Sequence, residues 1–304
     1  MSQILVSVVC TTYNHEQYIK DTLEGFVSQE TDFEYEVLVH DDASTDRTAD
    51  IIREYEKNYP DIIHGIYQRE NQYSKNVNIL NDIIMPKTRG KIIAYCEGDD
   101  YWCDNHKLQL QVTSLLNNPE CVACTHNSLV KNLTTNSEEP FITKMHEGIW
   151  DIKDIVSWSD NHYHTSSLIV KKEFSIVPEI YKCGSVGDYP LALYLCFRGG
   201  IYYIDRIMSV YRYGTEGSWT KRVGTVRDKI YDQREQEVQM LKRIDKEQDY
   251  RYHEIFNLTI RDKEFYLAMY KKKYKLALGE YKDVFKSKSL KEKLVILLKM
   301  ILKR

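Results

Sequence analysis

The stretch Cys96-Glu97-Gly98-Asp99-Asp100-Tyr101-Trp102 places three carboxylates within four consecutive positions. It follows directly on Lys91-Ile92-Ile93-Ala94-Tyr95, a short apolar and β-prone run. A strand that ends in an acidic turn delivers several oxygens to the carboxyl edge of a sheet, where open α/β sheets bind ligands. Clustered carboxylates repel one another and are costly to hold together without a cation. Asp and Glu oxygens are hard ligands that suit Mg²⁺, Mn²⁺ or Ca²⁺ rather than zinc. A solvated acidic loop is the other reading of such a cluster taken alone, and the rest of the chain has to decide between them.

Working outward, the strands and helices alternate. The nearly continuous apolar run over 4–10 suits a strand buried on both faces. A polar turn, Thr11-Thr12-Tyr13-Asn14, separates it from a helical pattern over 16–29 with Ile19, Leu23, Phe26 and Val27 on one face. A second strand over 35–40 ends in Asp41-Asp42-Ala43-Ser44-Thr45-Asp46, where Ser44 or Thr45 can cap a helix over 47–58. Further patterns predict a strand over 62–67, helices over 76–85 and 105–116, and a strand over 121–129. This order argues for an α/β, Rossmann-like, mostly parallel central sheet with helices on both faces. Beyond it the pattern changes to mixed α+β: a short helix over 149–158, a strand over 166–170, a helix over 189–197, and short strands over 201–204 and 208–212. From about 223 the chain reads as helical, charged and rich in Tyr. The expected division is therefore 1–222, with halves 1–130 and 131–222, followed by a C-terminal helical appendage over 223–304.

Composition narrows the class. The 304 residues suffice for one large domain or two modest ones. A formal net charge of −3 lacks the basic excess of a nucleic-acid binder. Seven Cys at irregular positions, with no zinc-spaced partner pair for Cys121 and Cys124, read as buried thiols. The odd Cys count and the start of the chain, which runs straight into a strand, lead to the expectation of a cytoplasmic protein. No apolar run reaches the length of a membrane span. The 290–302 stretch interleaves Leu, Val, Ile and Met with Lys, so peripheral contact with an anionic membrane through 288–304 is one expectation; packing on its own domain or on a partner is the other.

Three polar turns follow three predicted parallel strands: 11–14, 41–46 and 97–102. In a parallel sheet they share one edge. A ligand there meets Tyr13, an aromatic face for a base, then Asp42, then Asp99 with its neighbours for a cation on a diphosphate. The absence of a Gly-Lys-Ser/Thr loop and of a G-x-G-x-x-G fingerprint weakens phosphoryl transfer and dinucleotide redox chemistry.

With these marks, and with Asp104-Asn105-His106-Lys107-Leu108-Gln109-Leu110-Gln111-Val112 after them, residues 4–220 resemble a family 2, GT-A fold, inverting glycosyltransferase of the bacterial polysaccharide type. The resemblance implies a nucleotide-sugar donor, commonly with uracil, held by Thr11, Tyr13 and Asp42, with Asn14 and Asp41 in the same turns. It implies that Glu97-x-Asp99 stands for the family's D-x-D and binds Mn²⁺ or Mg²⁺, with Asp99 as principal ligand, Glu97 beside it and Asp100 as the alternative. Lys75 stands where members place a basic residue near the phosphates. The family's base carboxylate falls on Asp188, at the start of the predicted 189–197 helix, where a helix cap is the competing role. His164 precedes a strand and could line the acceptor site. Arg212 could reach the diphosphate, and Trp219, after Gly214 and Gly217, could stack in a closing loop; a domain junction is the plain alternative. The reaction implied is transfer of one sugar to a hydroxyl of a glycan or lipid-linked acceptor, since neither a Gln-x-x-Arg-Trp motif nor transmembrane helices appear. A non-catalytic nucleotide-sugar binding protein and a metal-dependent nucleotidyltransferase are the rival functions.

Overall fold

In the computed structural model, residues 3–143, 145–157, 163–183, 187–215 and 227–301 are described. The strands are β1 (Val6–Thr12), β2 (Tyr35–Asp41), β3 (Ile63–Tyr67), β4 (Ile92–Tyr95), β5 (Tyr101–Trp102), β6 (Ala123–Asn132), β7 (Ser137–Pro140), β8 (Gly148–Ile149), β9 (Ile169–Lys171) and β10 (Ile201–Tyr213). They form one sheet in the order β3-β2-β1-β4-β9-β6-β10-β5, with β7 on β6 and β8 on β10. The pairs β2–β3, β1–β2, β1–β4 and β6–β10 are parallel. Strand β9 runs antiparallel between β4 and β6. The expected α/β sheet is present and parallel along its longest pairs, with β9 antiparallel at its centre and β5, β7 and β8 pairing antiparallel on β10 and β6.

The helices are α1 (Ile19–Val27), α2 (Thr48–Asn58), α3 (Lys107–Asn117), α4 (Ile152–Ser157), α5 (Asp188–Arg198), α6 (Arg227–Glu247), α7 (His253–Tyr270), α8 (Tyr274–Gly279), α9 (Lys282–Ser287) and α10 (Leu290–Ile301). Successive strand residues face opposite sides, and the packing follows. Val6, Val8 and Cys10 join Leu23, Phe26, Ile52, Leu108 and Val112 on the face covered by α1, α2 and α3. Val9, Leu38 and Ile93 join Ile155, Val156, Leu193 and Leu195 of α4 and α5 on the other. Val238, Leu241 and Ile244 of α6 and Phe256 and Ile260 of α7 complete that second face, so the start of the helical region is part of the main core. The end of α7 and α8 to α10 build a smaller cluster around Phe265, Ala277, Val284 and Ile296.

Local chemistry explains where the expected boundaries move. The cap of α2 comes from neither Ser44 nor Thr45. Asp46 Oδ1 accepts from the Thr48 backbone N–H at 2.9 Å, while Ser44 Oγ accepts from the N–H of Asn14 at 2.9 Å. The expected 76–85 helix is a 3₁₀ turn at Tyr73–Lys75, a π-helical segment at Ile79–Ile84 and a second 3₁₀ turn at Met85–Lys87. The 166–170 strand begins as a 3₁₀ turn, Thr165–Ser167, before β9. The two short strands after 200 are one strand, β10, with register irregularities against β6 between Ile204 and Ser209. Such a bulge breaks the alternation without ending the ladder, which is why the pattern reads as two pieces.

Candidate active site

The three polar turns meet at one sheet edge because of register. Thr12 at the end of β1 is opposite Asp41 at the end of β2, and the Asp42 N–H donates to Thr12 O at 3.0 Å. On the other side of β1, the Gly98 N–H donates to Thr11 O at 2.9 Å. A Cβ on residue 98 would stand 2.7 Å from Thr12 Cβ and 3.0 Å from His15 Nδ1, so only glycine lets the acidic turn approach this closely.

The first two turns interlock. Asn14 takes a positive φ of 56° and Ala43 one of 60°. Asn14 Oδ1 accepts from the Thr45 N–H at 2.8 Å, answering the Ser44–Asn14 bond. Tyr13 stands out from this clasp, 43% exposed. Asp41 and Asp42 are buried. Asp42 accepts the backbone N–H groups of Gln72 at 2.8 Å and Tyr73 at 3.1 Å, one on each carboxylate oxygen. It thereby pins the loop that carries Lys75, whose ammonium pairs with Glu70 on the surface.

The acidic turn is clamped from below. Thr22 of α1 donates to the carbonyls of Asp100 at 2.6 Å and Gly98 at 3.1 Å. Trp102 Nε1 donates to Ser166 O at 2.9 Å. From β10, the Arg212 N–H donates to Asp100 Oδ1 at 2.9 Å and its guanidinium to Asp99 O at 2.9 Å, with a second arm on Asp21. The same guanidinium lies 4.3 Å from the Tyr101 ring centroid. Arg212 is therefore buried and committed to holding the turn, not extended toward a diphosphate. Asp99 Oδ2 accepts from the Thr215 hydroxyl at 2.7 Å.

Asp100 Oδ2 is buried and, among the described residues, has no hydrogen-bond partner. His164 Nε2 lies 3.5 Å from it. The other ring nitrogen of His164 is 2.8 Å from Ser166 Oγ, and the ring stacks on Tyr211 at 4.1 Å. Glu97 joins them: its carboxylate oxygen, that of Asp100 and a ring nitrogen of His164 lie within 4.8 Å of one another. Two carboxylates and an imidazole in that space fit a divalent cation such as Mn²⁺ or Mg²⁺. The orphaned Asp100 oxygen is the atom such an ion would satisfy. Thr12 Oγ1, His15 Nδ1 and Asp41 Oδ1 are likewise buried without partners among the described residues.

The electrostatics agree. Glu97 is exposed, yet desolvation by the packed turn, then the charges of Asp99 and Asp188, push its carboxyl up to about 8. Burial, with Asp99 and Glu97, pushes Asp100 well up. Burial draws His164 down to about 4, which leaves the imidazole neutral and able to ligate. Asp188 is exposed at the start of α5, yet desolvation by the protein packed around it raises its carboxyl to about 6. It occupies the first position of α5, and the cap itself is Gly187, so Asp188 is not the capping residue. The charge of Asp188 is felt at Glu97, so the start of α5 lies near the acidic turn.

The expected residues Thr11, Tyr13, Asn14, Asp41, Asp42, Glu97, Asp99, Asp100, His164 and Asp188 thus gather at one edge. Lys75 sits on the neighbouring loop, and Trp219 lies outside the described residues. Sequence reasoning passed over His15, Thr22 and Thr215. Their contacts depend on pairings across 76 residues or more for Thr22 and Thr215. His15, one residue past the first turn, could have been included by extending that turn.

The profile described as "Glycosyl transferase family 2" matches residues 7–166, more than half of the chain. An uncharacterised protein of Mycobacterium tuberculosis is 33% identical over 222 residues, 70% of this chain and 60% of that protein. The putative teichuronic acid biosynthesis glycosyltransferase TuaG of Bacillus subtilis is 32% identical over 112 residues, 37% of this chain and 42% of TuaG. The chain thus spans less than two thirds of these relatives' lengths. Among solved structures, S. aureus TarS 1–349 in complex with UDP-GlcNAc superposes with a TM-score of 0.59 at 17% identity, over 95% of this chain and 78% of that one. At that identity the likeness speaks for the fold. With the profile match over β1 to the 3₁₀ turn before β9, the chain belongs to glycosyl transferase family 2 and carries its GT-A fold.

Proposed function

We propose that the protein transfers one sugar, with inversion, from a UDP-sugar to a hydroxyl of a glycan or lipid-linked acceptor in cell-surface polysaccharide synthesis. The observation that carries this reading is the cluster of Glu97, Asp100 and His164 at the edge of the sheet. That set could take a cation, and it lies within electrostatic reach of the raised carboxyl of Asp188, at the edge where Tyr13 and Asp42 lie. TarS binds UDP-GlcNAc on this fold, and TuaG is described as a teichuronic acid glycosyltransferase; both support the donor and the product class.

Tyr13 offers its exposed ring to the uracil. Each Asp42 oxygen spends one lone pair on the 72–73 backbone and keeps another for a base N–H. A divalent cation held by Glu97, Asp100 and His164, with Asp99 adjacent, would neutralise the departing diphosphate. Asp188 takes the acceptor hydroxyl proton as that oxygen bonds to the anomeric carbon and the carbon–oxygen bond to UDP breaks. His164 stacks on Tyr211 at the cation set. A screen of nucleotide sugars by thermal shift, with and without Mn²⁺, tests the reading. A shift with UDP or a UDP-sugar that needs the metal is expected, and no shift with any nucleotide would overturn it. A binding protein without catalysis would show the same shift but no turnover. Asp188 favours catalysis, because a carboxyl held near 6 is suited to act as a base at neutral pH.

A further inference from the structure

The last helix presents an apolar stripe that the fold leaves uncovered. A capping box fixes its start: Ser289 N–H donates to Glu292 Oε2 at 2.8 Å, and Glu292 N–H to Ser289 Oγ at 3.3 Å. One face of α10 packs inward, with Ile296 buried against Phe265, Val284 and their neighbours and Met300 beside it. Another face carries Leu290, Leu294, Leu297 and Leu298, from 41% to 81% exposed. At about 100° per residue these four fall within roughly one quarter to one third of the helix circumference. Lys291 and Lys293 border the stripe, one on each side. So many leucines in the open on one short helix exceed the scattered apolar residues of an ordinary surface.

Charge selects the occupant. Residues 271–304 carry twelve Lys and Arg against three Asp and Glu, in a chain whose total is −3. A second copy of the same surface would bring like charges together around the stripe. An anionic lipid surface matches both features, apolar to apolar and cation to phosphate. No helix among the described residues is long and apolar enough to cross a membrane, so contact by this element is in the plane of the surface.

We infer that α10 docks the protein on anionic bilayers, with Leu290, Leu294, Leu297 and Leu298 in the acyl boundary and the flanking lysines at the headgroups. The inference stands on α10 and its charge, independently of the transferase reading. The test is flotation of the full chain with phosphatidylglycerol-rich vesicles and with pure phosphatidylcholine vesicles, at low and high salt. Binding to the anionic vesicles is expected, weakening with salt. Leu294→Glu with Leu298→Glu should lower the bound fraction at least about tenfold, and Lys291→Glu with Lys293→Glu should lower it by a similar factor. Because all four side chains lie outside the main core, both variants should keep the wild-type circular dichroism and UDP-dependent thermal shift. Equal binding to both vesicle types, or no binding, would overturn the inference. So would a wild-type dimer in sedimentation that the leucine variant converts to monomer, which would assign the stripe to a second copy.

Discussion

His164 Nε2 lies 3.5 Å from Asp100 Oδ2, a buried carboxylate oxygen with no hydrogen-bond partner among the described residues. The two groups face each other with Glu97 beside them. Burial keeps the imidazole neutral, with its pKa drawn down to about 4, so the pair is not an ion pair at neutral pH. Under the proposed function, the two groups and Glu97 would serve as ligands of a divalent cation. Ser166 engages the far ring nitrogen, which orients the near one.

His164→Ala should therefore weaken Mn²⁺ binding by at least about tenfold, the scale seen when a group supporting a metal site is lost. Electron paramagnetic resonance of free Mn²⁺ measures this directly, without turnover. Unchanged Mn²⁺ affinity would remove His164 from the site. Asp99→Ala discriminates further. Its Oδ2 is bound to Thr215, so its loss should loosen the turn and affect the metal less than Asp100→Ala does.

Asp188→Asn should reduce transfer by about 10²- to 10⁴-fold while UDP affinity stays within about twofold. The folded chain binds the Asp188 proton more tightly than the unfolded chain, since desolvation by the surrounding protein raises the carboxyl to about 6. Its ionisation therefore costs some stability as pH rises from the unfolded value to about 6, a cost that persists above it but is kept small by solvent around the exposed side chain. The amide removes the cost. Melting curves at neutral pH should show the variant at least as stable as the wild type, so lost activity cannot be put down to unfolding.

The same carboxyl sets a pH limb. A base must be ionised to accept a proton, so kcat/KM should fall about tenfold per pH unit as pH drops below about 6. Asp188→Asn should flatten that limb in whatever residual activity remains. A limb unchanged in the variant would move the base elsewhere.

Much of this was legible in the chain. The buried strand β1, the acidic ends of β2 and β4 and the helix after each could be read because parallel strands and their turns carry local signals. The cation set was legible only in part. Glu97 and Asp100 stand in one turn, but His164 is brought to them by β9, an antiparallel insert between β4 and β6 that no local pattern announces. The role of Arg212 shows the same limit. As a lone cation near the end of the domain it suggested a diphosphate contact. Its partners, Asp99 O and Asp21, come from distant segments and make it the clamp under the turn.

Asp42→Ala should free the backbone N–H groups of Gln72 and Tyr73. Leaving such donors unpaired costs about 1–3 kcal/mol. The expected result is a melting temperature lower by several degrees, with UDP affinity reduced about tenfold or more. Asp42→Asn keeps one acceptor oxygen and should fall between. Isothermal titration and a melting curve on each variant check both effects.

Gly98→Ala would drive a methyl to 2.7 Å from Thr12 Cβ. Overpacking of this kind costs about 1–3 kcal/mol, and here the strain falls on the turn that carries Glu97 and Asp100. Mn²⁺ affinity should drop together with stability. Ala substitution at Gly279, at the end of α8 and with nothing within 4 Å of an added Cβ, is the control and should lower neither.

The central claim is that the edge formed by Tyr13, Asp42, Glu97, Asp100 and His164 is a metal-assembled UDP site. Calorimetric titration of the full chain with UDP, in Mn²⁺ and then in EDTA, tests it most directly. Saturable one-to-one binding in Mn²⁺ that weakens at least about tenfold in EDTA, and at least about tenfold in His164→Ala at fixed Mn²⁺, is the predicted result. UDP binding of equal strength with and without the metal, or none in either, would contradict it.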